Sequence, residues 1–165
     1  MIGRKIRTGI LLWLMLAGIH CATKSAIELP RDILGISIGS RKPDAQKRLE
    51  EIAEFEREER KQQQIWRLKN DSHYSHIIVG YDKDEKVRYL TVFADKSKER
   101  VRYSDIGDLS KAKKEITEPH HRYTWETEEI GGKTGFVVVA YGTEPEFLTS
   151  YSITGKFAPE QEEDE

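Results

Sequence analysis

The sequence predicts an α+β protein in which two αβββ units in tandem form one antiparallel sheet covered by helices. Segments 77–93 and 137–153 carry the main evidence, since each has an apolar run ending in Tyr, a polar turn and a second apolar run. This pattern is typical of a β-hairpin. A helix-like segment and an alternating strand precede each hairpin, and the shared order of elements favours an internal repeat. We expect a first unit over 33–102 and a second over 103–156.

The first unit opens with 33–39, a short strand-like run. Pro43 then favours a helix start, because its φ suits the first turn and its missing N–H would have no partner there. Ala45 and Leu49 recur at helical spacing, and the charge run 54–61 is interpreted as the solvent-facing continuation of that helix. Alternation and turn residues predict three strands: 64–69, 77–82 and 87–94.

The second unit is predicted to begin with a helix over 108–116, which has an acidic start and is closed by Pro119. The Gly-rich segment 131–135 is predicted to be a hairpin turn rather than a phosphate-binding loop, because it lies between two strands and not before a helix. The strands predicted here are 122–128, 137–141 and 147–153.

The N-terminus predicts export from a bacterial cytoplasm. Three cations within the first seven positions precede the apolar run 9–19. That run is shorter than the ~20 residues of a transmembrane helix and has the length of a signal-peptide core. We expect a signal peptide over 1–25 and a linker over 26–32, which predicts a periplasmic or secreted protein.

Cys21, the single cysteine, stands where a lipoprotein carries its acylated residue. His20 before it is atypical of a lipobox, which argues against lipidation, so a membrane-tethered structural lipoprotein is kept only as an alternative. Contact with a membrane is expected only if Cys21 is lipidated. One cysteine cannot form an intrachain disulfide, so the chain must be held by its own core.

Charge argues against nucleic-acid binding. The formal net charge is −2, with 34% charged residues and a mean hydropathy of −0.67. Four bases and no acid lie in 1–25, so the rest of the chain is more acidic than the total suggests. An acidic body does not attract a phosphate backbone. The tail 157–165 has five acids in its last six positions and is expected to be disordered.

No catalytic signature is present, and the sequence predicts no cofactor and no metal site. Histidines supply a metal-like pattern, at His73, His76, His120 and His121. Neither pair has helical i, i+4 spacing, and adjacent residues of a strand point to opposite faces, so surface and turn histidines are expected. No serine lies in a nucleophile-elbow pattern. A small secreted hydrolase with a carboxylate or histidine site is the alternative to a non-catalytic role.

Aromatic and arginine side chains on the strands supply the candidate binding residues. Tyr, Trp and Arg are enriched at protein interfaces. The candidate sheet face comprises Trp66, Arg67, Tyr89, Tyr123, Trp125 and Tyr151. The competing interpretation is that these aromatic residues belong to the core, because Tyr and Trp also suit strands.

The segment 36–40, with Ala45 and Leu49 on the helix that follows, resembles the SmpA/OmlA (BamE-like) domain family. Where that family has Gly-x-Pro, this chain has Glu-Glu-Ile at 50–52. Two such units in tandem resemble the β-lactamase-inhibitor-protein (BLIP) fold. The resemblance implies an exported, non-enzymatic binding or assembly protein. We therefore expect a non-catalytic protein-binding module of the bacterial cell envelope, with a protein partner whose identity the sequence does not give.

Overall fold

A computed structural model describes residues 28–59, 62–128 and 135–156. The predicted signal peptide 1–25, with its lipidation candidate Cys21, and the acidic tail 157–165 lie outside the described residues. The same holds for most of the predicted turn 131–135 and for the start of the linker 26–32.

The fold is dominated by β-structure. Ten strands are present among the described residues: β1 Asp32–Ile33, β2 Ile36–Ser37, β3 Ala53–Glu59, β4 Gln63–Leu68, β5 Tyr74–Tyr81, β6 Val87–Ala94, β7 Lys113–Thr117, β8 His120–Glu126, β9 Phe136–Gly142 and β10 Ser150–Gly155. The helical elements are α1 Lys42–Ile52, α2 Tyr103–Ile106 and the 3-10 turn Leu109–Lys111. An eight-stranded sheet has the order β3-β4-β5-β6-β10-β9-β8-β7, and β1 pairs with β2 in a separate hairpin.

The predicted helix-covered α+β fold is wrong, and two segments account for most of the error. The sequence predicts that the charge run 54–61 continues the helix, but α1 ends at Ile52 and the part of the run that the structure describes, 54–59, belongs to strand β3. The segment 108–116 holds the 3-10 turn and the start of β7 rather than a helix. Both strands are edges of the sheet, where solvent allows a charge at almost any position, so their sequences resemble a solvated helix face.

The large sheet consists of two four-stranded meanders, β3–β6 and β7–β10, joined by antiparallel pairing of β6 with β10. A tryptophan occupies matching places in the two meanders. Trp66 on β4 pairs with Ile77 on β5, and Trp125 on β8 pairs with Val138 on β9. The four-strand order is therefore the same in both parts, while descent of the two parts from a duplication stays a prediction.

The core lies on one face of the sheet, here called the inner face. Helix α1 contributes Ala45 and Leu49, and α2 contributes Tyr103 and Ile106. These side chains form one cluster with the buried residues of both meanders. Burial of each large apolar side chain stabilises the fold by about 1.5–3 kcal/mol. Within the described ranges, none of the helices has the length and apolar character needed to cross a bilayer.

Candidate functional site: the open sheet face

The second face of the eight-stranded sheet, here called the open face, carries the side chains that alternate with the inner-face residues. The helices α1 and α2 and the β1–β2 hairpin all place buried side chains in the inner-face core. The strand registers arrange the open face in three rows that run across the strands.

The middle row is a neutral strip that crosses six strands. In sheet order it consists of Ile65, Ile78, Thr91, Ser152, Val139 and Thr124. Ile65 is only 7% exposed, whereas the other members are half-buried. At the two ends of the strip stand cations, Arg57 opposite Ile65 and Lys113 opposite Thr124. The centre of the open face is therefore a short-chain, largely β-branched surface without a charged side chain.

A second row carries ion pairs at both ends and an exposed aromatic ring near its centre. In sheet order it reads Glu54, Arg67, His76, Phe93, Ser150, Tyr141, Arg122 and Glu115. Arg67 lies 2.5 Å from a carboxylate oxygen of Glu54, and the Arg122–Glu115 distance is 3.9 Å. Phe93 is 39% exposed, which is unusual for a large apolar side chain on a central strand. An exposed ring between two charged ends has the anatomy of an interface core with a polar rim.

Side chains next to this row make further contacts with its residues at both ends. Glu56, the extra residue where the β3–β4 register shifts, lies 3.4 Å from His76 Nε2 and 3.7 Å from Arg67 Nε. At the other end, the hydroxyl of Tyr141 is hydrogen-bonded to His120 Nδ1, and the two rings stack with centroids 5.7 Å apart. Neighbouring side chains therefore hold the rim of the open face in defined positions.

The third row positions Tyr89 across strand β5. The Tyr89 hydroxyl, on β6, donates a hydrogen bond to Gln63 Oε1, on β4, at 2.5 Å. Gly80 on β5 is paired with both residues and lies between them. A Cβ added at Gly80 would come within 2.0 Å of Tyr89 Cε1. The missing side chain of Gly80 thus provides the space in which the Tyr89 ring lies over the sheet.

The structure divides the six residues of the sequence-predicted sheet face between the two sides of the sheet. Arg67 and Tyr89 are on the open face, as their pairings with His76 and Gly80 show. The other four are at most 7% exposed and belong to the inner-face core: Trp66, Tyr123, Trp125 and Tyr151. The six residues are therefore not brought together on one exposed surface.

Sequence reasoning passed over Ile65, Ile78, Val139 and Phe93, which form the apolar part of the open face. A signal for two of them, Ile78 and Val139, was available. Strands β5 and β9 have apolar residues at consecutive positions, Ile77-Ile78-Val79 and Val137-Val138-Val139. In a strand with one covered face, apolar and polar residues alternate, so unbroken apolar runs indicate that both faces carry apolar side chains.

The four histidines named above are dispersed. His120 points to the open face and His121 to the inner face, as adjacent strand residues do. Nδ1 of His121, a residue that is 5% exposed, has no hydrogen-bond partner. In the part of the chain that the structure describes, no three histidine, cysteine, aspartate or glutamate side chains come together as a metal site.

A cleft of about 530 Å³ opens on the side of the inner-face core, between β5, β10 and the segment that leads into α2. His73 lines it, with its Nδ1 3.2 Å from the backbone oxygen of Glu99 and its Nε2 4.0 Å from the Glu99 carboxylate. Tyr74 and Tyr151 also line it, and burial raises the pKa of Tyr74 to about 12 and also raises that of Tyr151. Both hydroxyls therefore stay protonated near neutral pH. The hydrolase alternative would have its histidine and carboxylate here.

Comparison of the chain with protein-family models, with curated proteins and with solved structures finds no match in any of the three.

Proposed function

We propose that the chain is an exported, non-catalytic module that binds another protein through the open face of its sheet. One observation carries the proposal: a neutral strip crosses six strands, with the exposed Phe93 beside it and ion pairs at the sheet edges. Extended apolar surface with a polar border is the usual form of a protein-binding site.

The charges of the open face favour a protein over a nucleic acid. Its arginines, Arg57, Arg67 and Arg122, each lie within ion-pair distance of a glutamate. A surface that binds a phosphate backbone presents cations free of such neighbours. Paired charges at the rim instead fit a partner that presents both signs, which sets orientation more than affinity.

The cellular setting of the proposal rests on the sequence. The predicted signal peptide over 1–25 supports a periplasmic or secreted protein of the cell envelope. The resemblance to the SmpA/OmlA family and to the BLIP fold supports the same class of role, since that resemblance implies exported binding proteins. The lipoprotein alternative differs only by an acyl anchor on Cys21 and is compatible with the same binding face.

Site-specific photo-cross-linking in the native cells tests the proposal. A photoreactive amino acid is placed at Thr91 or Ser152, in the middle of the neutral strip. Matched controls carry it at Lys47 on α1 and at Lys83 in the β5–β6 turn, both exposed positions away from the open face. We expect a discrete protein adduct from the two strip positions only. Equal adducts from the control positions, or none from the strip, would overturn the proposal.

A further inference from the structure

The two edges of the large sheet have opposite charge. No described strand pairs with the outer side of β3 or of β7. Strand β3 carries four glutamates and a single cation, Arg57, whereas β7 carries Lys113 and Lys114 and a single acid, Glu115. Charged edge strands usually prevent sheets from joining edge to edge, because like edges repel. Opposite charges on the two edges of one chain remove that protection for a head-to-tail arrangement.

Each edge also exposes one large apolar side chain. Phe55 on β3 is 51% exposed and Ile116 on β7 is 44% exposed. Phe55 pairs with Trp66 and Ile116 pairs with His121, so both point to the inner side of the sheet. Exposed apolar side chains on the same side at opposite edges would meet if one copy followed another.

Strand direction allows this contact. Directions alternate through the eight antiparallel strands, so β3 and β7 run in opposite directions. The β3 strand of one copy can therefore pair in antiparallel fashion with the β7 strand of another, and the sheet continues without a change of pattern.

One register of β3 against β7 places side chains of the same face opposite each other, pairs opposite charges and brings the two exposed apolar side chains into contact. Phe55 is set opposite Ile116 of the second copy, and β3 keeps the irregularity that it already has between Phe55 and Arg57 in its pairing with β4. All inner residues then face inner residues. The pairs that result are Arg57 with Glu115, Glu58 with Lys114, and Glu59 with Lys113. Each pair joins opposite charges, which favours cross-strand contact.

Two side chains would exchange partners within their own strand for partners across the contact. Arg57 Nε lies 2.8 Å from Glu59, and Lys113 Nζ lies 2.9 Å from Glu115. These pairs are solvent-exposed and contribute little to stability, so giving them up costs little. The pairing of two β3 edges would instead bring glutamates together.

From this complementarity we infer that the chain binds a second copy of itself head to tail, by antiparallel pairing of β3 with β7. The contact is heterologous and leaves one free edge at each end, so further copies can add. The open faces of successive copies then form one continuous surface. The inference stands independently of the proposed binding function, because no open-face apolar residue takes part in the contact.

Charge-reversal variants test the inference. Association is measured by sedimentation velocity on the full chain, in the form that its native cells produce. One variant carries Glu58→Lys and Glu59→Lys, a second carries Lys113→Glu and Lys114→Glu, and a third combines all four changes. Lys47→Glu with Lys83→Glu is the matched control, at exposed positions away from both edges. Circular dichroism establishes that each variant is folded.

We expect the natural chain to associate with increasing concentration, and each edge reversal to raise the dissociation constant about tenfold or more, since charges that attracted one another then repel. The four-change variant should regain association, because its two edges are complementary again, and the control should be unchanged. A natural chain that stays monomeric would overturn the inference. So would sensitivity to the β7 reversal alone, which would indicate pairing of two β7 edges, or a folded four-change variant without recovery.

Discussion

Ile77 and Ile78 are neighbours on strand β5, yet they lie on opposite faces of the sheet and in different surroundings. Ile77 is 0% exposed in the inner-face core, whereas Ile78 is half-buried on the open face. Val138 and Val139 repeat the contrast on strand β9. The inner face is covered by helices and a hairpin of the same chain. The neutral strip of the open face mixes isoleucine and valine with threonine and serine, and no described helix or hairpin covers it. A partly apolar face of this kind is suited to a partner.

The largest expected effect is the difference in stability between lysine substitutions at these two neighbours, Ile77 and Ile78. Ile77→Lys places a charge in the core and should lower the free energy of unfolding by on the order of 5 kcal/mol, or prevent folding. Ile78→Lys extends its ammonium into solvent from the open face and should cost less than about 1 kcal/mol. Urea titrations of the two variants measure the difference. Comparable losses would mean that the two faces are assigned wrongly.

Truncation of the tryptophans comes next in size. Trp66→Ala and Trp125→Ala should each lower the free energy of unfolding by ~3 kcal/mol or more, because both indoles are buried in the inner-face core. Phe93→Ala, at an exposed ring on the open face, is the matched control and should cost about 1 kcal/mol or less. Chemical denaturation is the measurement. A Phe93 variant as unstable as the tryptophan variants would indicate that the open face is part of the core.

Two buried polar side chains give a smaller contrast within the inner face. Gln64 Oε1 accepts hydrogen bonds from Trp66 Nε1 and from the Tyr81 hydroxyl, both at 3.3 Å, so Gln64→Leu leaves buried donors unpaired. We expect a loss of about 1–3 kcal/mol. His121→Leu removes a nitrogen that already lacks a partner and should be neutral or stabilising. Thermal unfolding of both variants measures this. A severe loss in the His121 variant would show that its ring makes a needed contact.

Alkaline pH should weaken the inner face gradually. Burial raises the pKa of Tyr74 from 10.0 to about 12 and also raises that of Tyr151. As the pH rises, the unfolded chain loses the phenolic proton before the folded chain does. The contribution of Tyr74 to the free energy of unfolding is therefore fully present below pH ~10 and is lost as the pH rises towards the folded-state pKa. The loss at Tyr74 is about 1 kcal/mol at pH ~11. Tyr74→Phe should make the free energy of unfolding less sensitive to pH between ~10 and ~12. If the pH dependence of this variant matched that of the natural chain, the raised pKa would not belong to Tyr74.

The central strands and hairpins could be predicted from the sequence, because their signals are local. Alternation and turn residues placed β4, β5, β6 and β9 close to their observed bounds. The edge strands could not be found this way. All five residues of β7 are exposed, and β3 has one buried residue, Ala53, so neither strand shows a period-two apolar pattern.

Assignment of the faces depends on contacts between distant segments. Trp66 and Arg67 are adjacent, and alternation alone shows that they point in opposite directions. Which of the two points to the core is decided by where α1 and α2 pack, and by registers such as Trp66 with Ile77. The aromatic and arginine side chains that the sequence indicates as a binding face therefore include four core residues, Trp66, Tyr123, Trp125 and Tyr151, together with Arg67 and Tyr89 of the open face.

The most direct test of a partner-binding open face is the yield of the cross-linked adduct from Thr91 when Ile78→Lys and Val139→Lys are introduced together. Both changes place an ammonium in the neutral strip and leave the inner face intact. We predict that the adduct is lost while the urea midpoint stays close to that of the natural chain. An adduct of undiminished yield from this folded variant would contradict binding through the open face.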